Sequence, residues 1–169
     1  MNKSRISDKQ FREACSRFAT GVAIATVMED ENRAFGLTIS SFTSVSLEPP
    51  LVLFCLHHQS QLKSHFSQSG TFGINILSAN QDDLSARFAN RNSHQIHPSD
   101  WHPGYTGVPV LVGSLATFEC KSREKIVCGD HDIFIGEVVA VSVEDGAPLV
   151  RYQSSYCRLE DGKSARGAQ

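Results

Sequence analysis

The stretch GLTISSFTSVSLEPPLVLFCLHHQSQ, residues 36–61, decides the fold. Within it Val45 and Leu47 alternate with Ser44, Ser46 and Glu48, the period of a half-buried strand. Pro49 and Pro50 cannot donate to a sheet ladder and end that strand. Residues 51–56, LVLFCL, are apolar on both faces, which predicts a central strand covered on two sides. Residues 60–66 predict a short helix, with Leu62 and Phe66 four apart.

Strand patterns flank this stretch. Upstream, residues 22–28 (VAIATVM) read as a buried strand, and residues 34–38 return antiparallel after a polar turn. Before them, Ser7 and Gln10 have capping-box spacing, and Phe11, Ala14, Cys15 and Phe18 recur with a helical period. That predicts a helix over 7–18 with one apolar face. Downstream, Phe72, Ile74 and Ile76 share a face of a strand over 71–77. Ser78 and Gln81 repeat the capping-box spacing and open a helix through Phe88, with Leu84 and Phe88 inward.

Residues 90–109 lack periodicity and predict a long surface loop, of a length often tied to function. Strands resume at 115–120 and 133–143. The second places Ile133, Ile135, Val139, Val141 and Val143 on one face and Phe134, Val138 and Ala140 on the other. Gly136 inside it permits a bend or a close backbone approach. Asp145-Gly146 is a tight-turn signal, and residues 149–158 are expected to close the sheet. The tail 161–169 is polar and expected to fray. Together the pattern predicts one domain, mainly β with a few helices: a closed antiparallel barrel with helices packed outside.

Composition narrows the function classes. A chain of 169 residues with formal charge -2 has no basic excess for nucleic acid or a membrane surface. No apolar run approaches the ~18 residues of a spanning helix. The start, MNKSRISDKQFREA, lacks the apolar stretch of a signal peptide, so a cytoplasmic location is expected. The five cysteines are odd in number and form no C-x-x-C pair, which predicts free thiols acting mostly as small buried apolar residues. P-loop, Rossmann and nucleophile-elbow motifs are absent.

His94, His97 and His102 fall in one loop, as HQIHPSDWH. Without a spaced Cys or carboxylate, or a helical period to align the rings, they read as a solvated loop and no metal site is expected. His131, in CGDHDIF, precedes the long strand. It reads either as a hydrogen-bonded turn residue, which pattern alone favours, or as a hydrogen-bond donor to a ligand at a barrel mouth. The hydroxyls of Thr38, Ser40, Ser41, Thr43, Ser44 and Ser46 read either as a polar strand edge or as a phosphate cradle.

At these residues the chain resembles the short-chain flavin reductases, the reductase partners of two-component flavin-dependent monooxygenases. The matching blocks are FREACSRFATGV (11–22), GLTISSFTSVSLEPPLVLFCL (36–56), FGINIL followed by Q and FA (72–89), GVPVLVGSLATFEC (107–120) and GDHDIFIGEV (129–138). The second and last blocks are the specific ones, and the resemblance spans about 8–157.

The resemblance implies an antiparallel Greek-key split β-barrel of the FMN-binding type, a homodimer, and reduction of FMN or FAD by NADH or NADPH. By position it implies that Thr38, Ile39, Ser40 and Ser41 contact the flavin through hydroxyl and backbone groups. It puts Ser46, Cys55 and Leu56 along the flavin and Ser60 at its phosphate end. Phe88, Ala89 and Arg91 match a Phe-Ala-x-basic segment in which the family commonly has Lys; Arg can still pair a phosphate. His131 would place the nicotinamide, and Tyr152 and Tyr156 would border the same pocket. A partner monooxygenase would receive the reduced flavin. Two rival readings share the fold: a tightly bound flavin passing electrons to a corrinoid or ferric complex, and a flavin- or haem-binding module without turnover.

Overall fold

A computed structural model describes residues 6–30, 32–90 and 94–159. Helix α1 (Asp8–Cys15) starts at Ser7, whose side chain accepts from the Gln10 N–H while the Gln10 side chain reaches back, completing the expected capping box. Its apolar face does not turn inward. Phe11 is 62% exposed and Phe18, beyond the helix end, is 78% exposed, because no part of the described chain packs on that face.

Strands β1 (Thr20–Gly21) and β2 (Ala23–Asp30) follow, then β3 (Arg33–Ile39), β4 (Thr43–Leu47) and β5 (Pro50–His57). After α2 (Lys63–Gln68) and β6 (Thr71–Ile76) comes α3 (Asp82–Ala89), with a 3-10 turn at Pro98–Asp100 beyond it. The order ends with β7 (Trp101–Pro103), β8 (Pro109–Leu111), β9 (Ala116–Cys128), β10 (His131–Val143), β11 (Val150–Tyr152) and β12 (Ser155–Cys157). Three of these correct the sequence pattern. The 90–109 segment is not all loop, since β7 pairs with β8. β9 runs eight residues past Cys120, because Lys121–Cys128 pairs with β10 as a ribbon exposed on both faces, so no apolar alternation marks it. α3 begins at Asp82 without a side-chain cap; Ser78 and Gln81 instead close the turn before it, where the Gln81 side chain accepts from the Ser78 N–H.

The main sheet is antiparallel, in the order β3-β2-β6-β9-β10-β5-β4. It curls around a core holding Phe54, Phe66, Phe72, Phe134, Ile74, Val27 and Cys120. Phe54 stacks on Phe134 with centroids 5.3 Å apart and meets Phe66 and Phe72 edge-on. A second core lies outside β2 and β3, where Phe88 of α3 packs with Ile24, Leu77, Ile96, Leu111 and Leu149. Gly136 serves close approach: a Cβ there would collide with the Phe72 ring and lie 2.8 Å from Cys120 Cβ.

The barrel is split rather than closed, with β3 and β4 ending the strand order; only a short bridge at Phe35–Gln95 covers the outer side of β3. Residues 149–158 do not close it. β11 and β12 join β1 in a separate three-stranded sheet, turned by Gln153 and Ser154, both at positive φ. β4 lies at an edge and shows its apolar side chains to solvent, with Val45 47% and Leu47 94% exposed. Val45 sits at a register shift against β5, which breaks the alternation that the pattern assumed. All five cysteines are free, but Cys120 alone is buried; Cys15 and Cys128 are exposed, and Cys55 and Cys157 are intermediate.

Candidate active site

β5 keeps β4 as its neighbour only as far as Leu53, so its last residues lack a strand on that side. The chain between β3 and β4 fills part of the gap. Ser41 Oγ accepts from the Cys55 N–H at 2.9 Å, holding the 40–42 turn against β5. What remains between the β3 end, the β5 end and α3 is a cavity of about 500 Å³.

Ten of the expected residues line it: Thr38, Ile39, Ser40 and Ser41 on one wall, Cys55, Leu56 and Ser60 on another, Phe88 and Ala89 from α3, and His131 at the mouth. Their contributions differ. The Ile39, Leu56 and Phe88 side chains are buried in the two cores, so what they offer the cavity is mainly backbone. Thr38 Oγ1 donates to the Ser85 carbonyl at 2.7 Å and ties β3 to α3. Ser40 is exposed, and its hydroxyl has no protein partner among the described residues. Burial pushes the Cys55 thiol up, against the hydrogen bond to Ser41, so the wall stays uncharged.

Three expected residues lie outside the cavity. Ser46 Oγ accepts from the Glu48 N–H on the edge strand. Tyr156 is hydrogen-bonded through its hydroxyl to Ser85 Oγ at 2.7 Å, behind α3. Tyr152 is on β11 and 37% exposed. Arg91 falls outside the described residues. Of the loop histidines, His94 reaches the cavity, while His97 Nδ1 accepts from the Ser99 N–H. Among the described residues no group of three or more His, Cys, Asp or Glu could hold a metal ion.

The cavity also gathers residues that the pattern missed, chiefly His57, Gln59 and Gln61. His57 follows Cys55 by two on one strand, so a period of two places both on the outer face of β5; that was the available signal. Around the mouth, His131 Nδ1 lies 2.6 Å from Asp130 Oδ1 and His57 Nε2 lies 3.6 Å from Asp130 Oδ2. The hydrogen bond from His131 holds the Asp130 carboxyl below its usual range. On the inner face the buried Asp132 takes His58 Nε2 at 2.9 Å and Lys63 Nζ at 3.3 Å. Burial works to raise its carboxyl, but Lys63 and His58 outweigh it and keep it ionised.

The donor set is neutral hydroxyls, backbone groups and imidazoles over an apolar floor. Such a site suits a flat heteroaromatic ring bearing polar edges, and among the described residues it offers no metal ligand set and no activated nucleophile.

Comparison with known proteins places the chain in a family. The family profile described as "Flavin reductase like domain" matches residues 15–160. The Agrobacterium fabrum protein named FMN reductase (NADH) SmoA is 43% identical over 143 residues, 85% of this chain and 81% of its own. The NADH-dependent flavin reductase of a Rhodococcus species is 36% identical over 92% of this chain and 88% of its own. The solved structure of the Streptomyces globisporus NADH:FAD oxidoreductase SgcE6, in complex with NAD and FAD fragments, superposes with a TM-score of 0.87 at 30% identity, covering 95% of this chain and 99% of that one. With the profile spanning most of its length and relatives this similar, the chain belongs to the flavin reductase-like family.

Proposed function

We propose that this chain, acting as one domain, takes hydride from NADH or NADPH, reduces free FMN or FAD, and releases the reduced flavin to a partner monooxygenase. The observation that carries the reading is one cavity that joins the hydroxyl turn of Thr38–Ser41, the β5 end and the Gly-Asp-His turn of His131. His131 is far in sequence from the other two and reaches them through the register of β10 with β5, while the Ser41–Cys55 hydrogen bond holds the turn against β5.

The protein's own work is to bind and align. Ser40 and the backbone of residues 38–41 receive polar edges, Ser60 and Gln61 stand toward the far end, and His131 guards the side where a second ring would enter. A bound flavin supplies the hydride acceptor, and the nicotinamide supplies the hydride. No side chain needs to form a covalent bond, consistent with a cavity wall whose thiol stays protonated. An open cavity built of hydroxyl and backbone contacts suits release of a flavin product.

A homodimer is part of this reading. Phe11, Phe18, Val141 and Val143 lie exposed, and a second copy of the chain would cover such apolar surface with twofold symmetry. Among the described residues no helix is long and apolar enough to cross a membrane; action in the cytoplasm belongs to the proposal. Steady-state oxidation of NADH and of NADPH with FMN, FAD, riboflavin or no added flavin tests the function. Acceleration by micromolar free flavin is expected. Turnover that needs flavin already bound and ignores added flavin rejects it, as does background oxidation throughout. Light scattering that gives a fully active 18.5 kDa species rejects the dimer.

A further inference from the structure

The mouth of the cavity holds two imidazoles paired across β5 and β10, with the Asp130 carboxylate of the adjoining turn beside them. β10 pairs with β5 so that His131 stands opposite His57, and with β9 so that His131 stands opposite Cys128. Residues directly opposite in an antiparallel pair point to the same face. The two rings meet edge to face, with centroids 4.9 Å apart and planes at 85°. Asp130, in the turn between β9 and β10, reaches both of them.

The hydrogen bonds settle which nitrogen carries the proton on each neutral ring. His131 Nδ1 is 2.6 Å from Asp130 Oδ1, and a carboxylate can only accept, so that nitrogen bears the hydrogen. His131 Nε2 is then bare and has no protein partner among the described residues. His57 is the reverse. Its Nδ1 lies 3.0 Å from the Gln59 backbone N–H, a donor, so Nδ1 is the acceptor and Nε2 bears the hydrogen. That Nε2–H is the edge facing Asp130 Oδ2. The other titratable groups nearby are already engaged on the inner face, where His58 and Lys63 contact Asp132.

We propose that His57 is a positioning residue for the hydride donor: through Asp130 and through ring contact it fixes the His131 ring, so that His131 Nε2 meets the nicotinamide as a hydrogen-bond acceptor. The chemical match is an N–H donor beside the reacting ring, which the carboxamide of a nicotinamide carries. Asp130 alone is a poor anchor. It is 77% exposed in a turn made by Gly129 at positive φ, and an exposed hydrogen bond of that kind holds geometry weakly. A second ring on the other side of the carboxylate removes the freedom that would remain. The inference rests on the proposed use of a nicotinamide donor, but its tautomer pattern does not.

Two measurements test it. Nitrogen NMR on ¹⁵N-histidine protein, with the neutral rings observed at alkaline pH, should show opposite tautomers, Nε2–H on His57 and Nδ1–H on His131. The same tautomer on both rings overturns the proposal whether or not the enzyme turns over. Rapid mixing with NADH is the second. His57→Ala should slow flavin reduction about 10-fold, since misalignment of about 1 Å costs up to ~100-fold, and should raise the NADH Kd while the flavin Kd stays within a factor of ~2. His57→Gln, which keeps an N–H at the reach of Nε2, should recover part of that rate. Wild-type rates in His57→Ala, a flavin Kd that rises in step with the rate loss, or no recovery in His57→Gln would each overturn it. Wild-type protein that reduces no flavin with either nicotinamide nucleotide removes the functional reading instead, and the NMR result still decides the tautomers.

Discussion

Ser41 Oγ accepts the Cys55 N–H at 2.9 Å, so a side chain stands where the ladder of β5 has run out of partner strand. The neighbouring Ser40 makes no such bond. Two adjacent serines in the same turn therefore have separable jobs, one holding the cavity wall and one facing the cavity.

Ser41→Ala should lower stability by about 1–3 kcal/mol, because it strands a partly buried N–H, and should also raise the flavin Kd. Ser40→Ala should raise the flavin Kd and leave the denaturation midpoint unchanged. Urea melts paired with flavin titrations check this. Equal loss of stability in both variants would show that the two hydroxyls are not divided in this way.

How much of this was legible beforehand depended on whether a feature lay in one segment or between segments. The hairpin signals around residues 36–61 placed β4 and β5, since prolines and apolar runs are local. The outer half of β9 was illegible. KSREK faces solvent on both sides, and pairing alone makes it a strand. His57 was missed because its importance comes from standing opposite His131, and register is not written in either segment. Phe11 and Phe18 show the converse. The helical period holds over Asp8–Cys15, but a period does not say what covers the apolar face, and nothing in the described chain does. Tyr156 was assigned to the pocket by resemblance, and its hydroxyl is spent on Ser85.

Glu119 makes stability depend on pH at the acid end. Its carboxylate, only 8% exposed, accepts from the Tyr105 N–H, the Thr106 N–H and the Thr106 hydroxyl at 2.7–2.9 Å. Burial works to raise its carboxyl, but these donors outweigh it and hold it below its ordinary value of 4.5. A group depressed on folding contributes stability that is present above its unfolded pKa and is lost as pH falls through the folded one. Wild type should therefore lose stability below about pH 4.5 more steeply than Glu119→Gln, which should already be weaker at neutral pH. Denaturant midpoints across pH 3–7 for both proteins would show it, and parallel curves would remove Glu119 as the cause.

Gly136 has no room for a methyl group. The Phe72 ring and Cys120 Cβ occupy the space from inside the barrel, and both are buried in the main core. Gly136→Ala should cost about 1–3 kcal/mol through overpacking. Phe72→Leu in the same background should recover part of that loss by withdrawing the ring edge. A Gly136→Ala protein as stable as wild type would mean that β10 shifts outward at its register break beside Ile135 without penalty.

His131→Ala tests the mouth of the cavity without disturbing the wall. The side chain is 42% exposed, and the turn before it is made by Gly129, so truncation should leave the hairpin and its denaturation midpoint intact. The flavin contacts assigned to residues 38–41 and to the β5 end remain. Hydride transfer needs the two rings aligned, and misplacement by about 1 Å costs on the order of 100-fold. Flavin reduction by NADH should accordingly slow by ~10- to 100-fold and nicotinamide binding should weaken, with the flavin Kd near wild type. Single-turnover reduction under anaerobic conditions separates this from slow product release. Reduction at the wild-type rate would make His131 a residue of the β9–β10 turn, held by Asp130 for structural reasons alone.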